Sequence, residues 1–221
     1  MVEQKYFQRA KKENLELTDR MLRWLSFPIS KFIVRHTFVT PNEITVFSFL
    51  LSLAGGFFFL QGDHRNLIIG GILVFLRQIF DQVDGEIARM KNLSSVSGKW
   101  LDGITGYLSA EIIIICLSVG IGTPLSYFLG VFAALAYPLQ YLFVYFYKLE
   151  IVQSSAPMAI GKENKFSFLR YVYGSALFYV LVPVFVFLDK PLWALLFFAI
   201  VGNLFWFCTL GVQYLALRKG N

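Results

Sequence analysis

Six apolar stretches of near-spanning length follow one another along the chain: Ile44–Leu60, Leu67–Ala88, Leu101–Gly120, Leu125–Tyr147, Leu169–Leu188 and Leu192–Leu217. A helix rises about 1.5 Å per residue, so about 20 apolar residues match the roughly 30 Å hydrocarbon core of a bilayer. Inside lipid every backbone N–H and C=O must be satisfied within the protein, and uninterrupted apolar runs of this length do so as helices. The sequence therefore predicts an all-α, multi-pass integral membrane bundle of six transmembrane helices. Composition agrees, with 57% hydrophobic and 18% aromatic residues, against about 45–50% apolar content in soluble domains. The first long apolar run begins only after Pro41, so no secretory signal peptide is expected. Cys116 and Cys208 both lie inside apolar stretches, where packing is the expected role.

The formal charge of +6 is unevenly placed. Lys5, Arg9, Lys11, Lys12, Arg20, Arg23, Lys31, Arg35, Arg89, Lys91, Lys99, Lys148, Lys162, Lys165, Arg170, Arg218 and Lys219 fall on one side of the six-span layout, and only Arg65 and Lys190 on the other. The excess of basic residues marks the cytoplasmic side, which puts both termini, the Met90–Gly98 linker and the Lys148–Ser167 segment in the cytoplasm. No basic patch with interleaved solvent-facing aromatics is present, which argues against a nucleic-acid partner. Ahead of the first span, Leu15–Phe38 mixes Leu22, Leu25, Phe27, Ile29, Phe32, Ile33 and Val34 with Arg20, Arg23, Lys31 and Arg35, around Pro28. Such a segment is expected to be an amphipathic helix lying in the membrane interface. The chain thus divides into an interfacial segment, residues 1–40, and a transmembrane domain, residues 41–221.

Charge inside the second and third stretches is the exception that points to chemistry. Asp81 and Asp84 stand in the second, and Asp102 opens the third across the Met90–Gly98 linker. A carboxylate at bilayer depth costs roughly 2.5–3.5 kcal/mol, so three unpaired ones call for a compensating cation. At about 100° per residue, Arg77, Asp81, Asp84, Gly85 and Ala88 share one stripe of a helix. Hard oxygen donors without His or thiolate partners suit Mg²⁺, Mn²⁺ or Ca²⁺. Two such ions about 3.5–4 Å apart serve phosphoryl chemistry. The same residues also allow an ion or proton pathway in a cation-coupled transporter, or plain pairing of Arg77 with Asp81.

The run Asp81, Asp84, Gly85, Ala88, Arg89, Gly98, Asp102 resembles the signature of the CDP-alcohol phosphotransferases, D-x2-D-G-x2-A-R-x8-G-x3-D-x3-D, in both type and spacing. Thr40-Pro41-Asn42-Glu43-Ile44-Thr45 resembles the segment that opens the first span in many members. The resemblance implies transfer of a phospho-alcohol group from a CDP-alcohol donor, either CDP-diacylglycerol or a soluble CDP-alcohol, to an acceptor alcohol with release of CMP. It implies that Asp81, Asp84 and Asp102 hold Mg²⁺ or Mn²⁺ in a two-metal site, in an enzyme of phospholipid or related phosphodiester synthesis. The implied nucleotide-binding residues are Pro41, Asn42, Thr45, Asp81, Gly85, Ala88, Arg89 and Gly98, and the implied assembly is a homodimer among membrane lipids. Lys148, Lys162, Lys165 and Arg170 cluster on the same face, which the topology rule alone explains; the alternative is a basic pocket for a phosphorylated acceptor or headgroup.

The signature's last aspartate falls at Gly106. In the family that carboxylate is a ligand of the second metal and the proposed general base, so the catalytic base of this chain is left unassigned. Glu111, Glu86 and Glu43 are the nearest acidic candidates along the sequence, and Thr105 and Ser109 offer only hydroxyls. Three readings are open: a weakened variant, a member with a relocated base, and a non-catalytic nucleotide-binding member. His36 and His64 have no partner at metal-ligand spacing and read as solvated or headgroup-facing residues.

Overall fold

The computed structural model describes residues 17–151 and 175–220, and all the regular structure among them is helical. The helices are α1 (Leu17–His36), α2 (Pro41–Gln61), α3 (His64–Met90), α4 (Val96–Ile121), α5 (Pro124–Phe146), α6 (Ser175–Phe187), α7 (Pro191–Phe197) and α8 (Asn203–Gly220). A π-helical turn, Tyr147–Ile151, extends α5, and a second, Phe198–Gly202, joins α7 to α8 into one long element. Five of these helical elements are long and apolar enough to cross a bilayer: Pro41–Gln61, His64–Met90, Val96–Ile121, Pro124–Ile151 and Pro191–Arg218. The expected fifth span, Leu169–Leu188, is described only from Ser175, as the shorter apolar helix α6.

The helix boundaries follow from capping chemistry at the polar breaks. Thr40 and Glu43 form a reciprocal capping box at the start of α2, with Pro41 in its first turn. Asp63 caps α3, and the backbone N–H of Asn66 that it accepts holds its carboxyl below the usual carboxylate range. Ser95 caps α4 by accepting from Gly98 N–H (3.0 Å). At the end of α3, Asn92 takes a left-handed backbone (φ 56°). The Leu93 N–H then returns to the Ala88 carbonyl (2.8 Å), closing the helix in a six-to-one bond. The chain reverses there, directly after Ala88-Arg89, and α4 starts back beside α3. At the opposite end, His64 Nδ1 lies 3.0 Å from Asp189 Oδ1, tying the start of α3 to the loop between α6 and α7. His64 opens the helix.

Two apolar clusters hold the bundle. The larger joins Phe59, Val74, Ile113, Leu117, Ala133, Val182, Val186 and Leu195, drawn from α2 to α7. The smaller lies nearer the aspartates, where Ile44, Ile79, Val83 and Ile87 pack with Leu25, Ile29 and Ile33 of α1. Large apolar side chains such as Leu50, Phe57, Phe128, Val131 and Leu204 remain on the outside. Together with the five spanning helices they make this an integral membrane protein.

Helix α1 is fastened to α3 by a polar contact as well. Ser30 Oγ donates to Glu86 Oε2 (2.6 Å), Ser26 Oγ donates to Oε1 (3.2 Å), and Arg23 Nε stands 3.6 Å from Oε1. Glu86, Ser26 and Ser30 are all buried, so the docking of α1 brings hydrogen-bond donors to a buried carboxylate. Glu86→Ala is expected to destabilise the docking of α1 by about 2 kcal/mol, because buried donors lose their acceptor. Limited proteolysis within residues 17–36 would accelerate, whereas an unchanged cleavage rate would show that the apolar contacts alone hold the helix.

Candidate active site

Helix α3 carries the stripe expected from its spacing, and α4 adds the third acid. Asp84 is buried at 5% exposure, Asp81 is half-buried and Asp102 is exposed at the mouth. One carboxylate oxygen from each lies within 4.8 Å of the others. Thr45, one turn into α2, donates its hydroxyl to Asp84 Oδ2 (2.7 Å) and so fixes that carboxylate from a third helix. Three hard oxygen donors gathered at this separation could hold a divalent cation such as Mg²⁺ or Mn²⁺.

Beside the acids, the signature glycines let neighbouring side chains come close. Arg89 lies over Gly85, since a Cβ at that glycine would come 3.2 Å from Arg89 Nη1. A Cβ at Gly98 would meet Ser95 Oγ at 3.0 Å and Asn42 Oδ1 at 3.1 Å, so the starts of α2 and α4 converge there. Lys91 Nζ secures the approach to α2 by donating to the carbonyl of Val39 (2.9 Å). An open cleft of about 370 Å³ is lined by Ala88, Arg89, Asn92 and Ser94, at the same end of α3 as the acids.

On the inner side of the acids sits Arg77, only 2% exposed. Its Nη2 is 2.7 Å from Asp81 Oδ1, its Nη1 donates to Gln78 Oε1 (3.2 Å), and its Cζ stands 3.8 Å above the Tyr179 ring. The Tyr179 hydroxyl donates to the carbonyl of Gly106 (2.7 Å). Sequence reasoning missed Tyr179, which lies in α6, 73 residues from its partner, and no local pattern marks it. The pairing of Arg77 with Asp81 and the three-acid cluster were posed as alternatives, and both are present.

The acids weighed as substitutes for the missing carboxylate are placed differently. Glu86 is turned to α1 and engaged by Ser26 and Ser30, and Glu43 is taken up in the capping box of α2. Glu111 is half-buried, with Oε1 lacking a hydrogen-bond partner among the described residues. The Thr105 hydroxyl donates back to the carbonyl of Leu101 (2.8 Å). Of the proposed acceptor-binding cations, Lys148 lies half-buried in the π-helical turn after α5. Lys162, Lys165 and Arg170 lie outside the described residues.

The sequence profile of the CDP-alcohol phosphatidyltransferase family matches residues 38–206. A bifunctional IPC transferase and DIPP synthase of Thermococcus kodakarensis is 32% identical over 114 residues, which are 51% of this chain and 25% of that protein. A protein of the same description from Aquifex aeolicus is 35% identical over 82 residues, 37% of this chain and 18% of its own length. An archaetidylinositol phosphate synthase of Pyrococcus horikoshii is 32% identical over 83 residues, 37% of this chain and 42% of that protein. The matched segments thus span less than half the length of each of these relatives. With the family profile running from just after α1 into α8, across both helices that carry the acids, this chain belongs to the CDP-alcohol phosphatidyltransferase family.

Proposed function

We propose that this protein transfers a phospho-alcohol group of phosphatidyl type from a CDP-alcohol donor to an acceptor alcohol, releasing CMP, in the synthesis of a phospholipid or related phosphodiester. The observation that carries the reading is the convergence of Asp81, Asp84 and Asp102 within 4.8 Å, at the end of the bundle where the signature residues also gather. In this reading Asp81, Asp84 and Asp102 hold Mg²⁺ or Mn²⁺. The bound ion would neutralise the donor's diphosphate. Thr45 orients Asp84 toward the centre of the cluster. Ala88 and Arg89, which line the cleft, receive the cytidine nucleotide together with Pro41, Asn42, Gly85 and Gly98.

The acceptor oxygen forms a bond to the phosphorus nearer the donor alcohol, the bond from that phosphorus to the CMP oxygen breaks, and the acceptor's proton is released. Such a transfer depends mainly on positioning and charge neutralisation, both of which α2, α3 and α4 supply. A phosphorylated polyol is the acceptor class favoured here. It suits Lys148 with Lys162, Lys165 and Arg170, and the Pyrococcus relative's name contains an inositol phosphate. The chain works as a six-span homodimer. Residues 1–40, which include α1, form the interfacial segment, and the excess of basic residues supports termini and an active site that face the cytoplasm.

Gly106 favours a second reading, a nucleotide-binding member with little turnover, because it brings no side-chain base to the site. The two are separated by supplying the purified protein with CDP-diacylglycerol or soluble CDP-alcohols, Mn²⁺ and a panel of alcohol acceptors. Acceptor-dependent release of CMP supports transfer. Ion-dependent donor binding without CMP release supports the second reading, and absence of both refutes the proposal.

A further inference from the structure

We infer that the Arg77 guanidinium permanently takes the place of a second divalent ion, so that the acidic site of this chain binds one divalent cation and not two. The inference rests on the reading of Asp81, Asp84 and Asp102 as a metal site and deepens it. A single nitrogen of Arg77 joins the observations. Nη2 is 2.7 Å from Asp81 Oδ1, and it is also the atom that a Cβ built on Gly106 would face at 3.7 Å. The charged tip therefore fills the space between Asp81 on α3 and position 106 on α4, where the signature has a carboxylate and this chain has none.

Three features hold it there. The Tyr179 ring lies beneath the guanidinium at 3.8 Å, Gln78 Oε1 accepts from Nη1, and Tyr179 is itself anchored through its hydroxyl to the Gly106 carbonyl. Arg77 is 2% exposed, and its Nε has no hydrogen-bond partner among the described residues. Its charge is balanced by the acids rather than by solvent. An arginine does not give up its proton in a protein, so this charge is fixed. Three carboxylates and one guanidinium leave a net charge of minus two, which one divalent ion cancels. Asp81 keeps its second oxygen for that ion, because a carboxylate accepts through both. A second divalent ion at the usual spacing of about 3.5–4 Å would have to share its space with Arg77. Gly106 is then the counterpart of Arg77: a side-chain carboxylate at that position would compete with Asp81 for the same nitrogen.

Counting bound Mn²⁺ tests this without any turnover. Purified protein in detergent is titrated with Mn²⁺, free ion is followed by electron paramagnetic resonance, and ions still bound by Asp84→Asn are subtracted as adventitious. One Mn²⁺ per unmodified chain, with no spin coupling between paired ions, is the expected result. Two per chain would overturn the inference and leave the metal-site reading standing. None would overturn both. Gly106→Asp alone is expected to stay at one ion, its new carboxylate pairing with Arg77, while a folded Arg77→Gln, Gly106→Asp double variant binds two. A folded double variant that still held one ion would contradict the exchange of guanidinium for metal.

Discussion

Replacing Asp84 by asparagine is expected to lower CMP release from a CDP-alcohol donor by about 10³-fold, the scale set when a preorganised charge is removed from a phosphoryl-transfer site. Asp84 is the most buried of the three acids, and its position is fixed by the Thr45 hydroxyl at 2.7 Å. Asparagine keeps the shape and an oxygen to accept from Thr45, so packing around Val83 and Ile87 is preserved. What is lost is the negative charge of the most deeply buried of the three acids. The variant should also bind Mn²⁺ weakly, with a melting temperature in detergent close to that of the unmodified protein. Quantifying released CMP by chromatography, with melting as the folding control, checks the expectation. Unaltered turnover in a folded variant would remove Asp84 from the site. Asp102 is exposed, where water can supply a missing ligand, so Asp102→Asn should reduce turnover less.

The largest structural effect is expected at the opposite end of the bundle. A Cβ at Gly120, near the end of α4, would overlap the backbone carbonyl of Phe59 in α2, and one at Gly62 would overlap the carbonyl of Gly120. Two backbones touch here, so no side chain can swing away to make room. Gly120→Ala is expected to destabilise the fold by about 3 kcal/mol, at the upper end of what overpacking costs. That corresponds to a fall of roughly 10 °C in melting temperature for a chain of this size. The crossing also sets the angle between α2 and α4, and with it the distance from Thr45 to Asp102, so donor binding should weaken in parallel. Gly211→Ala is the control: nothing lies within 4 Å of a Cβ there, and alanine is the better helix former. A Gly120→Ala protein that melted with the control would mean that α2 and α4 do not meet at this point.

Much of the fold was legible because the bilayer imposes one solution on long apolar runs. The helices nevertheless begin earlier than the apolar runs do. Pro41 and His64 precede Ile44 and Leu67 because capping by Thr40 and Asp63 extends each helix into polar sequence. The acids were legible for a different reason: Asp81 and Asp84 obey helical spacing, and the short linker to Asp102 can only return to the same end. What the sequence hid were contacts between distant elements. Glu86 sits inside the signature and reads as a spare acid, yet it is spent on Ser26 and Ser30, 60 and 56 residues away. Tyr179 reads as one more aromatic in an apolar run, until its ring is found beneath Arg77. Neither partnership has a periodicity to betray it, because both depend on how α1 and α6 dock.

In the proposed reading, three acids on α3 and α4 bind a cytidine diphosphate-linked alcohol through a divalent ion. That reading is tested most directly by calorimetric titration of a soluble CDP-alcohol into the purified protein, with Mn²⁺ present and with a chelator in its place. Saturable binding that requires Mn²⁺ and disappears in Asp84→Asn is the predicted result. Binding of equal strength with the chelator, or equal strength in the Asp84→Asn protein, would contradict it.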